Sequence, residues 1–127
     1  MTTVLYIEDN PLNMRLVKKY LKRTAIDMLE AIDGYSGLDM ALAEKPSVIL
    51  VDVNLPDIDG LEVARMLREN DDMKDIPIVA LTANAMHGDR ERCLDAGCDA
   101  YLAKPIARQE LYNALRQYIP EAFAVAV

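Results

Sequence analysis

The chain has little positive charge, little cysteine or histidine, and no long apolar run. Lys and Arg number 14 against 21 Asp and Glu, leaving a net charge of −7. A surface of that sign repels a phosphate backbone, so direct nucleic-acid binding is not expected. The two cysteines, Cys93 and Cys98, are not in CxxC spacing, and His87 is the single histidine. That set is too small to close a zinc site unless carboxylates join it, so both thiols are expected to be reduced, small core residues. No apolar stretch approaches the roughly 20 residues needed to cross a bilayer, which argues against membrane insertion. The opening Met1-Thr2-Thr3-Val4 passes directly into a strand-like run without a signal-peptide pattern, and a cytoplasmic location is expected. There are no internal repeats or long linkers, and 127 residues read as one domain. A hydrophobic content of 52% argues against disorder.

The chain instead shows a regular alternation of strand and helix signals. Val4-Leu5-Tyr6-Ile7 reads as a buried strand ending at Glu8-Asp9. Asn10 then caps a helix with Pro11 at its first position, and Leu12, Leu16, Val17, Tyr20 and Leu21 are expected along one face. Ile26 to Ile32 is a more polar strand, expected at a sheet edge. Asp33-Gly34 starts a helix carrying Leu38, Ala41 and Leu42 to about Glu44, ended by Lys45-Pro46. Val48 to Asp52 is a strand apolar on both faces, as in a parallel sheet covered by helices. After Pro56, Asp59 reads as the N-cap of a helix, with Glu62 spaced to complete a capping box and Leu61, Val63, Ala64, Met66 and Leu67 at helical spacing. Ile76 to Leu81 is a fourth strand ending at Thr82, and Ala83 to Ala96 a helix closed by Gly97. Asp99 to Ala103 is a fifth strand, expected at the other edge and ending at Lys104-Pro105, before a last helix from Ala107 to Tyr118. Ala107 is a poor N-cap, at a cost of about 0.5–2 kcal/mol relative to Ser or Asp. Five such units predict a doubly wound α/β domain with helices on both faces of a parallel sheet.

The strand ends carry the chemistry. Glu8-Asp9, Asp52, Thr82 and Lys104 close strands one, three, four and five, so all are expected at the carboxyl edge of the sheet, where open α/β folds bind ligands. Each has an ordinary structural role open to it singly, but an acid, an acid, a hydroxyl and a lysine at four strand ends point together to one site. Clustered carboxylates repel and raise at least one pKa unless a cation intervenes. A hard divalent ion such as Mg²⁺ meets that need, with Asp9, Asp52, a backbone carbonyl best supplied by Asn54, and Glu8 through water as the ligand set. A carboxylate in such a site can be a phosphoryl nucleophile. Thr82 and Lys104 would then neutralise and hold the oxygens of the aspartyl phosphate.

With Glu8-Asp9-Asn10, Asp52, Leu55-Pro56-Asp57-Ile58-Asp59-Gly60, Leu81-Thr82-Ala83 and Lys104-Pro105 in this order, the chain from about Val4 to Tyr118 resembles the receiver domain of two-component response regulators. Its Asp9-to-Met14 and Thr82-to-Asp89 stretches look most like the single-domain DivK type. The resemblance implies the flavodoxin-like sheet order 2-1-3-4-5. It also implies Mg²⁺ at Glu8, Asp9, Asp52 and Asn54, phosphoryl transfer to Asp52 from the histidine of a sensor kinase or phosphotransfer protein, and a cis peptide before Pro105. Tyr101 matches the family's switch aromatic, expected to move with Thr82.

Residues 1–119 are expected to form the receiver unit and 120–127 a short, loose tail without an output domain. Signal would then leave to another protein through helix four, strand five and helix five. Two other classes share part of this chemistry. A haloacid-dehalogenase-type phosphatase also combines Asp, Mg²⁺, Thr and Lys, but places a DxD motif at its first strand, where this chain has Ile7-Glu8-Asp9-Asn10. A pseudo-receiver that binds partners without phosphorylation would not need the complete acidic set.

Overall fold

A computed structural model describes residues 2–83 and 88–123. The strands are β1 (Thr2–Ile7), β2 (Ile26–Ala31), β3 (Val48–Asp52), β4 (Ile78–Thr82) and β5 (Ala100–Ala103), all parallel, in the order β2-β1-β3-β4-β5. The helices are α1 (Pro11–Leu21), α2 (Gly34–Glu44), α3 (Gly60–Glu69), α4 (Asp89–Asp95) and α5 (Arg108–Tyr118). Among the described residues, no helix is long and apolar enough to cross a membrane.

Side chains alternate across the strands and build two cores. Leu5, Ile7, Ile49, Val51, Ile78 and Ala80 face α2, α3 and α4, while Val4, Tyr6, Val48, Leu50, Val79 and Leu81 face α1 and α5. The central strands are fully covered on both sides, which is why their sequences are unbroken apolar runs. The more polar β2 and β5 take the edges, as their composition predicts.

Local signals place most helix ends. The Asn10 side chain accepts from the Leu12 and Asn13 amides with Pro11 at N1, Asp33 accepts from the Ser36 amide, and Asp59 accepts from the Leu61 amide. Glu62 does not close a capping box; its carboxylate pairs with Arg65 one turn on, at 3.0 Å. Gly97, at φ +104°, closes α4 in a Schellman arrangement, with Cys98 N–H donating to the Cys93 carbonyl and Gly97 N–H to that of Leu94. No side chain caps α5 at Ala107. Cys93 and Cys98 are buried in the core, and burial pushes the Cys98 thiol up to about 12.

Several expectations need correction. The fourth helix, expected from Ala83 to Ala96, is α4 from Asp89 to Asp95 with Gly88 as its cap; Ala83 is not helical, and residues 84–87 lie outside the described residues. Leu12 is 67% exposed, because the inward face of α1 is Met14, Val17 and Leu21, and a residue two positions before Met14 points away from it. Leu42 and Met66 are also exposed. β4 starts two residues later than Ile76, and β2 stops before the exposed Ile32. The segment after α5 is not loose as far as Phe123. Pro120–Phe123 forms a 3-10 turn in which Ala122 is buried, its carbonyl accepts from Ala25 N–H, and the Phe123 ring lies 5.2 Å from that of Tyr112. Residues 124–127 lie outside the described region.

Candidate functional site at the carboxyl edge of the sheet

Strand register assembles the site. Ile7 pairs with Val51, so Glu8 and Asp9 leave β1 beside Asp52 at the end of β3. Asp52 pairs with Leu81, which brings Thr82 to the same level, and Lys104 N–H extends the β4–β5 ladder by donating to the Thr82 carbonyl. From the end of β5 the Lys104 ammonium reaches back over β4. Its Nζ donates to Asp52 Oδ2 at 2.7 Å and to Glu8 Oε1 at 2.8 Å. The Lys104–Pro105 peptide is cis, as the resemblance implies.

Glu8 and Asp52 are almost wholly buried, and Asp9 is exposed at the mouth of the site. One carboxylate oxygen from each of the three lies within 4.8 Å of the others. Burial raises the Asp52 carboxyl above its ordinary value, and the neighbouring Glu8 adds to the rise against the pull of Lys104 and the Asn54 amide. Burial also works to raise Glu8, but hydrogen bonds from Asp52, Lys104 and the Asn10 amide outweigh it and hold this carboxyl below the usual range. Tyr6 donates its hydroxyl to Glu8 Oε1 at 3.0 Å, and burial pushes the phenol upward. Lys104 is held above its ordinary value because the two carboxylates outweigh its partial burial. The result is a buried pair of acids bridged by one ammonium, with an open acid beside them. Such an oxygen-rich set suits a hard cation that retains water.

The other predicted residues are placed as follows. Asn54 lies just past β3, and its backbone N–H donates to Asp52 Oδ1 at 3.1 Å. Thr82 is buried, and its hydroxyl donates to Asp89 Oδ2 at 2.7 Å. Tyr101 is half-buried and packs on the core beneath α2, α3 and α4.

Three residues that the sequence analysis quotes only within motifs, without a role, also contribute. Asp89 is a buried acid at the start of α4, paired through Oδ1 with Arg92 at 2.8 Å. Asp57, in the β3–α3 loop, accepts from the Gly34 and Tyr35 amides at 2.8 and 2.9 Å. These bonds fix the loop after Asp52 to the start of α2. Gly60 donates its N–H to the Val53 carbonyl, and a Cβ there would lie 2.0 Å from the Asp52 carbonyl oxygen. Only the charge of Asp57 and Asp89 is visible in the sequence; what Asp57 holds depends on two loops over twenty residues apart meeting, and Asp89 reaches Thr82 only because α4 packs beside the end of β4.

The model of the response regulator receiver domain matches residues 4–116 of the chain. The chain is 37% identical over 120 residues to the polar-differentiation response regulator DivK of Brucella anthropi, covering 94% of this chain and 98% of that protein. It also superposes on the receiver domain of a sensor histidine kinase from Pseudomonas aeruginosa, crystallised with magnesium coordinated in the active-site cleft. That match has a TM-score of 0.86 and 38% identity, covering 94% of this chain and 98% of the other. A third likeness is to the receiver domain of Ssk1 in complex with the histidine phosphotransfer protein Ypd1, from Saccharomyces cerevisiae. Here the TM-score is 0.85 and the identity 26%, covering 95% of this chain and 91% of that one. A family match across most of the length, relatives of the same extent and superposition on solved receiver domains agree with the acid-lysine geometry, and this chain belongs to the response regulator receiver domain family.

Proposed function

We propose that Asp52 accepts a phosphoryl group from a histidine of a sensor kinase or phosphotransfer protein, and that the phosphorylated domain changes its affinity for a protein partner. The observation that carries this reading is the Lys104 ammonium, 2.7 Å from Asp52 Oδ2 and 2.8 Å from Glu8 Oε1 in a buried setting beside the open carboxylate of Asp9. In the transfer, an Asp52 carboxylate oxygen attacks phosphorus, the histidine N–P bond breaks, and its electron pair returns to the imidazole. Lys104 can follow the charge from the free carboxylate to the phosphoryl oxygens. The Thr82 hydroxyl must leave Asp89 to donate to them. Asp9, Asp52 and the Asn54 carbonyl, with Glu8 through water, would hold Mg²⁺, which would supply neutralising charge for those oxygens. The magnesium site and the phosphotransfer partner in relatives support both assignments.

Release of the Thr82 hydroxyl is read as the switch. Tyr101 lies on β5, paired with Ala80 two residues before Thr82, which supports reading it as the aromatic that fills the space Thr82 vacates. Partners would then read α4, β5 and α5, with residues 1–119 as the receiver unit, in the cytoplasm.

Incubation with acetyl phosphate and Mg²⁺, followed by mass spectrometry, tests the assignment. One base-labile phosphate on Asp52 is expected, lost with EDTA and in Asp52→Asn, with no turnover of an external phosphate ester. Labelling that persists unchanged in Asp52→Asn would overturn it. Thr82→Ala should still be labelled but lose most of the phosphorylation-dependent change in partner affinity; if Thr82→Ala and Tyr101→Ala both keep that change, the coupling runs by another route.

A further inference from the structure

The net charge of −7 conceals a strong asymmetry. Residues 10–26 contain five cations, Arg15, Lys18, Lys19, Lys22 and Arg23, and no acid at all. α5 beside this segment adds Arg108 and Arg116, against only Glu110 on the helix and Glu121 in the turn that follows. Lys18 is paired with Glu30, but Arg23, Arg108 and Arg116 make no ion pair among the described residues. All three line one cavity of about 360 Å³ between the α1–β2 loop, α5 and the Pro120–Phe123 turn, and Arg23 and Arg108 also line an adjoining one of about 240 Å³ that reaches α1 at Leu16, Lys19 and Tyr20. The first is within the size range of small-molecule sites. Unpaired guanidinium groups converging on one concavity, in a molecule with an excess of acids to pair with, are a feature that folding alone does not require.

The walls are fixed in advance. Tyr112 donates its hydroxyl to the Tyr20 carbonyl at 2.5 Å, and Tyr20 donates its own to the Ile106 carbonyl at 3.0 Å. The Ala25–Ala122 backbone bond ties the turn to the α1–β2 loop. The Arg116 guanidinium carbon sits 5.0 Å from the Phe123 ring centroid and 5.9 Å from that of Tyr112. Both rings are within cation–π distance and restrain this guanidinium, whose side-chain hydrogen bond among the described residues is one long contact to Asn113 Oδ1 at 3.5 Å. A guanidinium edge matches the paired oxygens of a phosphate, and binding to groups already ordered loses less entropy.

We infer that the α1–α5 groove is a binding site for a compact, multiply charged phosphate compound, held by Arg23, Arg108 and Arg116. The chemistry is that of a phosphate chain, which a nucleoside triphosphate and an inorganic polyphosphate share. The site shares no residue with the Asp52 cluster and is independent of its phosphorylation.

Calorimetric titration of the full chain in EDTA, with ATP, tripolyphosphate, adenosine and citrate, tests this. ATP and tripolyphosphate should each bind one to one, and adenosine and citrate should not bind. Tenfold tighter binding of ATP would identify a nucleotide as the natural source, and equal affinities a free polyphosphate. Arg108→Ala and Arg116→Ala should each weaken binding at least tenfold while leaving the melting temperature near that of the wild type. Arg116→Lys should also weaken it, because an ammonium keeps the charge but loses the fork and the stacking. Asp52→Asn, which removes the proposed phosphoacceptor, should leave the affinity unchanged. No heat up to millimolar ligand, equal affinity in the three arginine variants, or equally tight binding of citrate would each overturn the proposal; the last would assign the groove to the carboxylates of an acidic protein.

Discussion

At Asp52 burial and charge oppose one another. Desolvation and the nearby Glu8 raise its carboxyl, and the Lys104 ammonium only partly offsets them. A folded-state pKa above the unfolded one means that this group's contribution to stability is complete below the ordinary value of 3.8 and is lost as the pH rises toward neutrality. Without a divalent ion, Asp52→Asn should therefore be more stable than the wild type at pH 7, by a margin that shrinks as the pH falls to about 4. A gain of roughly 1–2 kcal/mol, a few degrees in Tm, is expected. Glu8 has the opposite sign. Its lowered pKa stabilises the fold above the ordinary carboxylate value and loses that effect as the pH falls through the acid range. Glu8→Gln should thus destabilise at pH 7 and progressively less in acid. Thermal melts of the three proteins between pH 3 and 7 measure both trends, and parallel curves for all three would contradict this account of the pair.

At the scale of elements, the site depends on how closely α3 approaches the end of β3. Gly60 opens α3, and an added Cβ would meet the Asp52 carbonyl oxygen at 2.0 Å and the Val53 Cα at 2.9 Å. Backbone cannot retreat as a flexible side chain can, so Gly60→Ala has to displace either the helix start or the residue that bears the reactive carboxylate. A loss of about 1–3 kcal/mol is expected, together with slower labelling by acetyl phosphate. Gly97→Ala offers the comparison. There the obstructing atoms belong to the Arg68 side chain, although the φ of +104° adds strain of its own. It should cost stability while leaving the labelling rate close to wild type, since Arg68 lies at the opposite ends of the strands, donating to the Gly97, Lys74 and Ile76 carbonyls and to Asp99.

For the whole molecule, the charge distribution decides what a cation does. Three carboxylates converge at the site, one ammonium bridges two of them, and the open Asp9 has neither burial nor Lys104 to hold it. A divalent ion that binds only the folded chain stabilises it by mass action. Millimolar Mg²⁺ should raise the Tm by a few degrees, an effect that Asp9→Asn should largely remove, because it takes one charge from the entrance without touching the Lys104 pairs. An equal response of the wild type and Asp9→Asn in a thermal-shift titration would place the ion elsewhere.

Local chemistry was sufficient to determine the alternation of strands and helices, the buried centre and polar edges of the sheet, the caps at Asn10, Asp33 and Asp59, the glycine stop at Gly97, and the gathering of Glu8, Asp9, Asp52, Thr82 and Lys104 at one edge. These follow from periodicity, from capping side chains within three residues of the amides they satisfy, and from the rule that parallel strands end on the same side. Tertiary structure decided the rest. That Lys104 bridges Glu8 and Asp52, that Asp57 holds the start of α2, and that the turn after α5 is bonded to the α1–β2 loop all depend on residues distant in sequence meeting after the core has closed, and the Thr82–Asp89 bond depends on where α4 packs. Helical spacing admitted Leu12 to the apolar face of α1, and only the position of that helix over the sheet chose Met14 instead. The cations of residues 10–26 are legible as a run, but a groove exists only because α5 and Phe123 complete it. A linear pattern specifies which side chains share an element, and packing between elements determines which of them face each other.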